Sequence, residues 1–269
     1  MALRIQNNVE AFNAHRQLVG TSAKMARSME RLSSGFRINR AGDDAAGLAI
    51  SEKLRAQIGG LGQAQRNAQD AVSLVQTAEG ALAEVHSMLQ RVRDLAVQFN
   101  NGTLSTADKA AITAEVSQLS AEISRIGSDT KFNGITLLSG GGSITFQVGA
   151  SDGQTLSVTA ATLVDASGKI DPAVFDFSGT VTLASIDAAI GNVSSLRSDF
   201  GSVQNRLEHT LNNLATYEEN LQSSESRIRD VDMAAEMVEF TKYQILQQAG
   251  TSMLAQANQS PQTVLSLLR

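Results

Sequence analysis

The chain has no cysteine and no tryptophan, only two prolines, and aromatic residues at just 4% of its 269 positions. Without cysteine there are no disulfides, no thiolate metal sites and no cysteine nucleophile. Hydrophobic residues reach 42%, but much of that is Ala, Leu and Val. Such a chain fills long narrow seams between helices better than the thick core of a sheet-centred enzyme. There is no basic excess either. The net charge is −5, with 22 Lys+Arg against 27 Asp+Glu. Their signs are interspersed, which leaves no electrostatic footprint for nucleic acid. No run of about 18 apolar residues occurs, so no membrane insertion is expected. Met1 to Asn8 leads into no apolar segment, so no cleaved secretory signal is expected.

What is present is helical periodicity. Leu18, Ser22, Met25, Met29, Leu32 and Phe36 recur in steps of four and three, which predicts an amphipathic or coiled-coil seam. Arg40 to Gly47 breaks it, and Asp43-Asp44 suits a turn or the start of the next helix. A long helix is expected from Ala45 to Phe99, roughly 80 Å at the usual rise per residue. Its stripe is Ala71, Val75, Ala78, Leu82, Val85, Leu89, Val92, Ala96 and Phe99. Gly59, Gly60 and Gly62 mark a place for it to bend or break. Asn100-Asn101-Gly102 is a stop signal. Ser105 to Asp108 reads as a capping box for a second helix with Ile112, Val116, Leu119, Ile123 and Ile126 on one face.

The pattern changes after Gly127. Asn133-Gly134 is a turn dipeptide. Ile144–Val148 and Leu156–Val158 alternate on either side of Gly149–Gly153, which predicts a β-hairpin with a loop longer than two residues. Residues 160–184 are rich in Gly, Ser, Thr and Asp and contain Pro172, so short strands and turns are expected. Helix returns near Ser185, with Leu196, Phe200, Val203, Leu207, Leu211, Leu214, Leu221 and Ile228 on one face. A terminal seam follows through Phe240, Tyr243, Gln247, Gly250, Leu254, Ala257, Pro261, Val264 and Leu268. Gln247, Gly250 and Pro261 weaken it as an isolated helix. The two end seams each expose an apolar stripe until something covers it. Periodicity leaves two partners open: the ends pair with each other, or they fold on assembly.

Several long motifs stand out: Glu30-Arg-Leu-Ser-Ser-Gly-Phe-Arg-Ile-Asn39, Asp43-Asp-Ala-Ala-Gly-Leu-Ala-Ile50, Gln90-Arg-Val-Arg-Asp-Leu-Ala-Val-Gln98 and Phe132-Asn-Gly134. Gln244–Gly250, Leu254–Asn258 and Val264–Arg269 join them. Together they resemble the bacterial flagellin family. The resemblance covers roughly residues 1–158 and 185–269. It implies a mainly α fold: a long-helix bundle rod with a small β-hairpin region, plus N- and C-terminal helices pairing as a coiled coil. The domains expected are 1–44 and 233–269 as filament-core helices, 45–184 as the rod, and 185–232 as the C-terminal rod helix. Residues 160–184 stand where larger relatives carry outer domains. The implied function is a structural subunit that self-assembles into the extracellular flagellar filament after unfolded export by the flagellar type III apparatus. Implied partners are further copies of the chain, an export chaperone at the C-terminal helix, and hook-associated and cap proteins. A hook–filament junction protein and a cytosolic helical binding module are the alternatives.

No catalytic residue, metal site or cofactor is expected. His15, His86 and His209 lie far apart, outside any metal-ligand spacing. Gly140-Gly141-Gly142 lacks the Lys-Ser/Thr of a phosphate loop. On the long helix, Glu84, Met88, Arg91, Leu95 and Gln98 form a second stripe, with Leu95 read as an apolar residue on a mainly polar face. Contact between neighbouring subunits is its expected primary role. The resemblance adds that Arg91, Leu95 and Glu115 match positions read by the vertebrate Toll-like receptor for flagellin, although Asp94 replaces the more usual Glu. Residues 30–51 similarly resemble the peptide perceived by plant immune receptors. Ser and Thr within 160–184 are candidates for O-glycosylation.

Overall fold

The computed structural model describes residues 8–140, 142–159, 162–163, 170, 172–177 and 182–267, of which 172–173 and 260–267 are described by backbone alone. Among the described residues five α-helices run α1 (Val9–Ser34), α2 (Ala45–Phe99), α3 (Thr106–Asp129), α4 (Leu183–Arg229) and α5 (Met233–Leu267). Between α3 and α4 lie two antiparallel strand pairs, β1 (Lys131–Phe132) with β2 (Ile135–Thr136) and β3 (Ser143–Gln147) with β4 (Thr155–Thr159). The chain forms two compact units. Met1–Ala56 joins Asn220–Arg269 in a terminal unit, and Gln57–Glu219 forms a central unit. The expected boundaries stood at helix junctions, 44/45 and 232/233. The packing instead assigns the first turns of α2 and the last turns of α4 to the terminal unit.

Local chemistry sets the helix ends. The Asn8 side chain accepts the Ala11 N–H at 3.0 Å. Gly35, at φ 76°, closes α1 with its N–H on the Arg31 carbonyl, a left-handed cap that glycine adopts at little cost. Asp43 accepts the Arg40 and Asn39 N–H groups, and the Arg40 bond foremost holds its carboxyl below the ordinary value. Asp44 accepts the Gly47 N–H at 2.9 Å at the start of α2. Ser105 and Asp108 form a complete reciprocal capping box for α3, so aspartate serves where glutamate is usual.

The expected break at Gly59, Gly60 and Gly62 does not occur, and α2 runs through them. Burial of Leu61 and Ala64 offsets the poor helix propensity of the glycines. Gly60 has a packing role, since a Cβ there would lie 3.1 Å from the Ala150 Cβ.

The core of the central unit grows from α2. Leu61, Ala64, Ala68, Ala71, Val75, Ala78, Leu82, Val85, Leu89, Val92, Ala96 and Phe99 alternate steps of three and four, and all are buried. The α4 seam Ile186, Ala189, Val193, Leu196, Phe200 and Leu207 is buried too. The two helices run antiparallel, pinned by Arg93–Asp187 at 2.7 Å, Glu79–Arg197 at 3.6 Å and Gln65–Glu218 at 2.7 Å. α3 adds Ile112, Val116 and Ile123, and β4 adds Leu156 and Val158. Each fully buried leucine contributes about 1.5–3 kcal/mol.

The hairpin forms as expected, with Ser143 opposite Thr159 and Gln147 opposite Thr155. Asn133 (φ 49°) and Gly134 (φ 80°) make the tight turn between β1 and β2, the two positive values that a type I′ turn needs. Of residues 160–184, where short strands and turns are expected, 160–161, 164–169, 171 and 178–181 lie outside the described residues. Among the described residues, Pro172–Phe175 form a 3-10 turn. Leu163, Ile170, Val174 and Phe177 are buried in the core, and Phe177 packs edge-on against Phe99 at 5.4 Å.

Candidate assembly and recognition surfaces

α1 and α5 pair antiparallel within the terminal unit. Asn8 Nδ2 donates to the Ala257 carbonyl at 2.7 Å, and Arg31 meets Glu236 at 3.6 Å. Between these points Leu18 lies over Gly250, where a Cβ would stand 3.1 Å from the leucine Cδ1. The missing side chain at Gly250 is what lets the leucine in. Lys24 sits 6.0 Å from the Tyr243 ring centroid. A hydrogen bond between Tyr243 and Glu239, one turn apart, lowers the pKa of the glutamate and raises that of the tyrosine.

The α5 side of this interface is the one the sequence pattern picked out: Phe240, Tyr243, Gln247, Gly250, Leu254 and Ala257 are all half-buried. Val264 and Leu268 lie outside the described side chains. On α1 the register differs in part. Leu18, Met25, Leu32 and Phe36 are half-buried, but Ser22 is exposed and Met29 is 53% exposed. Their places are taken by Thr21 and by Ser28, which is buried. Both tracks alternate threes and fours, so spacing could not separate them. The pairing selects the one that also carries Ala11 and Ala14, whose small side chains permit close approach.

The outward faces of this pair are strongly apolar. Phe12 is 71% exposed, Val238 69%, Met253 64% and Ile245 60%, with Val9, Val19, Met233, Met237 and Leu246 also exposed. The seam-based reading passed over these residues. The available signal was the apolar residues that the three-four pattern left unused.

A joint connects the α1–α2 and α4–α5 turns. Phe36 and Asp230 form an antiparallel bridge, flanked by Arg37 N–H to Arg229 O at 2.7 Å and Val231 N–H to Gly35 O at 3.0 Å. The Phe36 ring lies 4.9 Å from the Arg229 guanidinium and 6.0 Å from that of Arg55. Glu52 pairs with Arg229 at 2.7 Å, and Glu225 with Arg55 at 3.5 Å. Stacked guanidinium groups and their carboxylates tie the two turns together.

In the central unit, Arg91 and Glu115 are brought together and exposed. The guanidinium bonds the carboxylate at 2.8 and 2.9 Å across α2 and α3. Leu95 is a correction. It is 1% exposed and belongs to the core, not to a polar face. The helix is covered from several sides, so its buried arc takes in Leu95 and Leu74 beside the main stripe. Among the described residues, no cluster of His, Asp or Glu could hold a metal ion, and no helix is long and apolar enough to cross a membrane.

A helical subunit whose paired chain ends carry so much uncovered apolar side chain falls among the self-associating structural proteins. Comparison with known proteins narrows this. Residues 5–143 match the bacterial flagellin N-terminal helical region, and residues 183–268 the bacterial flagellin C-terminal helical region. The chain is 52% identical to the flagellin of Halalkalibacterium halodurans, over 98% of this chain and 99% of that one. It is 48% identical to the flagellin of Bacillus subtilis, over 99% and 100%. The crystal structure of Bacillus cereus flagellin is similar with a TM-score of 0.50 at 34% identity, covering 55% of this chain and 88% of that one. The chain belongs to the bacterial flagellin family, the structural subunits of the extracellular flagellar filament, in a short form without large outer domains.

Proposed function

We propose that the outward faces of α1 and α5 are the surfaces through which subunits join into the helical filament. The observation that carries this is the apolar row Phe12, Val238, Ile245 and Met253, uncovered on a helix pair whose mutual seam is already occupied. Contiguous apolar surface of that kind marks an interaction site. Heterologous contacts between identical subunits then propagate as an open helical polymer.

Around this act we place the partners that the family implies. The chain leaves the cell unfolded through the flagellar type III apparatus, and its lack of cysteine suits a threaded polypeptide. An export chaperone covers the apolar flank of α5 before export, and hook-associated and cap proteins meet the same terminal surfaces. The soluble monomer is read by the vertebrate Toll-like receptor for flagellin at the Arg91–Glu115 pair. Leu95, buried in the core, does not itself make the contact.

Seeded filament growth tests the central reading. Val238→Glu and Ile245→Glu are expected to leave the helical circular dichroism of the monomer intact and to stop growth on filament fragments, as seen by electron microscopy. Growth at the unsubstituted rate would overturn it.

A further inference from the structure

The methionines of this chain are unevenly placed. Met29, Met233, Met237 and Met253 stand on α1 and α5, and all are between 48% and 64% exposed. Met25, half-buried, lies in the α1 seam. The central unit holds only Met88, which packs partly buried against the core. Since the chain has no cysteine, the accessible oxidisable sulfur among the described residues is concentrated on the two helices whose outward faces are assigned above to subunit association.

We propose that Met29, Met233, Met237 and Met253 are oxidation sites through which hydroperoxides control assembly of the free subunit; this rests on the association surface proposed above. The thioether sulfur attacks one oxygen of hydrogen peroxide. An S–O bond forms, the O–O bond breaks, and the departing hydroxide takes the proton from the new S–OH group to become water. Sulfur loses two electrons and the peroxide gains them. The product sulfoxide is a polar acceptor on a side chain that was apolar and adaptable. On the free monomer, water solvates it and the helix pair stands. Within a subunit contact it must be desolvated, which disfavours association when no donor meets it. The modification therefore acts on association and not on the fold. Subunits already assembled keep these sulfurs covered, so peroxide discriminates between free and incorporated chains.

The test uses the full-length chain. Purified monomer is treated with hydrogen peroxide, its sulfoxides are located by peptide mass spectrometry, and its critical concentration is measured on filament seeds. The expected results are unchanged helicity, a critical concentration raised by about tenfold or more, and recovery after treatment with methionine sulfoxide reductases. The quadruple leucine variant at 29, 233, 237 and 253 should polymerise equally well before and after peroxide. Met253→Gln, a polar side chain of similar length, should raise the critical concentration without oxidant. Peptides from peroxide-treated filaments should carry less sulfoxide at the four positions than peptides from treated monomer. Oxidised monomer that grows like untreated monomer, or a leucine variant that loses growth as the natural sequence does, would overturn the proposal. If Val238→Glu and Ile245→Glu grow normally, the association surface itself is wrong, an outcome separable from the peroxide result.

Discussion

α2 with α4 in the central unit, and α1 with α5 in the terminal unit, are both antiparallel helix pairs with seams in steps of three and four. They differ in what the seam achieves. In the central pair the stripe from Leu61 to Phe99 is excluded from water almost completely, and α3, β4 and the segment around Phe177 close over it. In the terminal pair the seam residues are only half-buried, and Ser28 is the one α1 side chain fully removed from solvent. Phe12, Val238, Ile245 and Met253 stay outside the seam, exposed. One periodicity thus encodes two kinds of helix pair: one closed over by its own chain, and one that leaves apolar side chains uncovered.

The sharpest way to break this contrast is to truncate each seam. Leu89→Ala should destabilise the monomer by about 2–5 kcal/mol, because the cavity opens in a closed core. Leu18→Ala, at a half-exposed position, should cost less than about 1.5 kcal/mol in the monomer. Denaturant unfolding of both variants checks the pair, and equal losses would erase the distinction. Native-state hydrogen exchange sharpens it further. Amides of residues 64–96 should exchange only by global opening, while those of 237–254 exchange through local opening and gain protection on polymerisation.

Smaller effects probe single contacts. Ser105→Ala removes the reciprocal cap of α3 and should lower melting stability by about 1 kcal/mol. Arg91→Ala breaks an exposed ion pair and should cost at most about 1 kcal/mol. Leu95→Ala should instead cost a core leucine's worth, about 2–5 kcal/mol, so receptor assays on it need a folding control. The smallest expected effect is a pH dependence. Asp43 has its folded pKa lowered below 3.8, chiefly by the Arg40 N–H. Its contribution is therefore present above the ordinary value and is lost as pH falls through the lowered one. Between about pH 5 and pH 3 the natural sequence should lose more stability than Asp43→Asn, which lacks that titration.

Much of the helical architecture could be read from the sequence because period and caps agree locally. Ser105 with Asp108, and Asp44 at the start of α2, mark ends whose chemistry is short-range. What escaped the sequence depends on how many neighbours a helix has. Leu95 looked exposed because one stripe was matched with one partner, while α2 is covered from several sides. The α1 register was ambiguous because Leu18, Met25 and Leu32 belong to two tracks, and only the burial of Thr21 and Ser28 in place of Ser22 and Met29 chooses between them. Residues 160–184 read as short strands and turns because Gly, Ser, Thr and Asp dominate there. Isolated apolar residues, Leu163, Ile170, Val174 and Phe177, nonetheless plug the core.

The hydrogen bond from Asn8 to the Ala257 carbonyl joins positions 249 apart in sequence. Closing so long a loop before its intervening contacts exist is entropically costly, and such non-local pairings form late. A chain delivered from one end cannot make this contact until nearly all of it has arrived. The pairing of α1 with α5 thus works as a check on completeness: a truncated or half-delivered chain lacks one of the two helices and cannot form the pair.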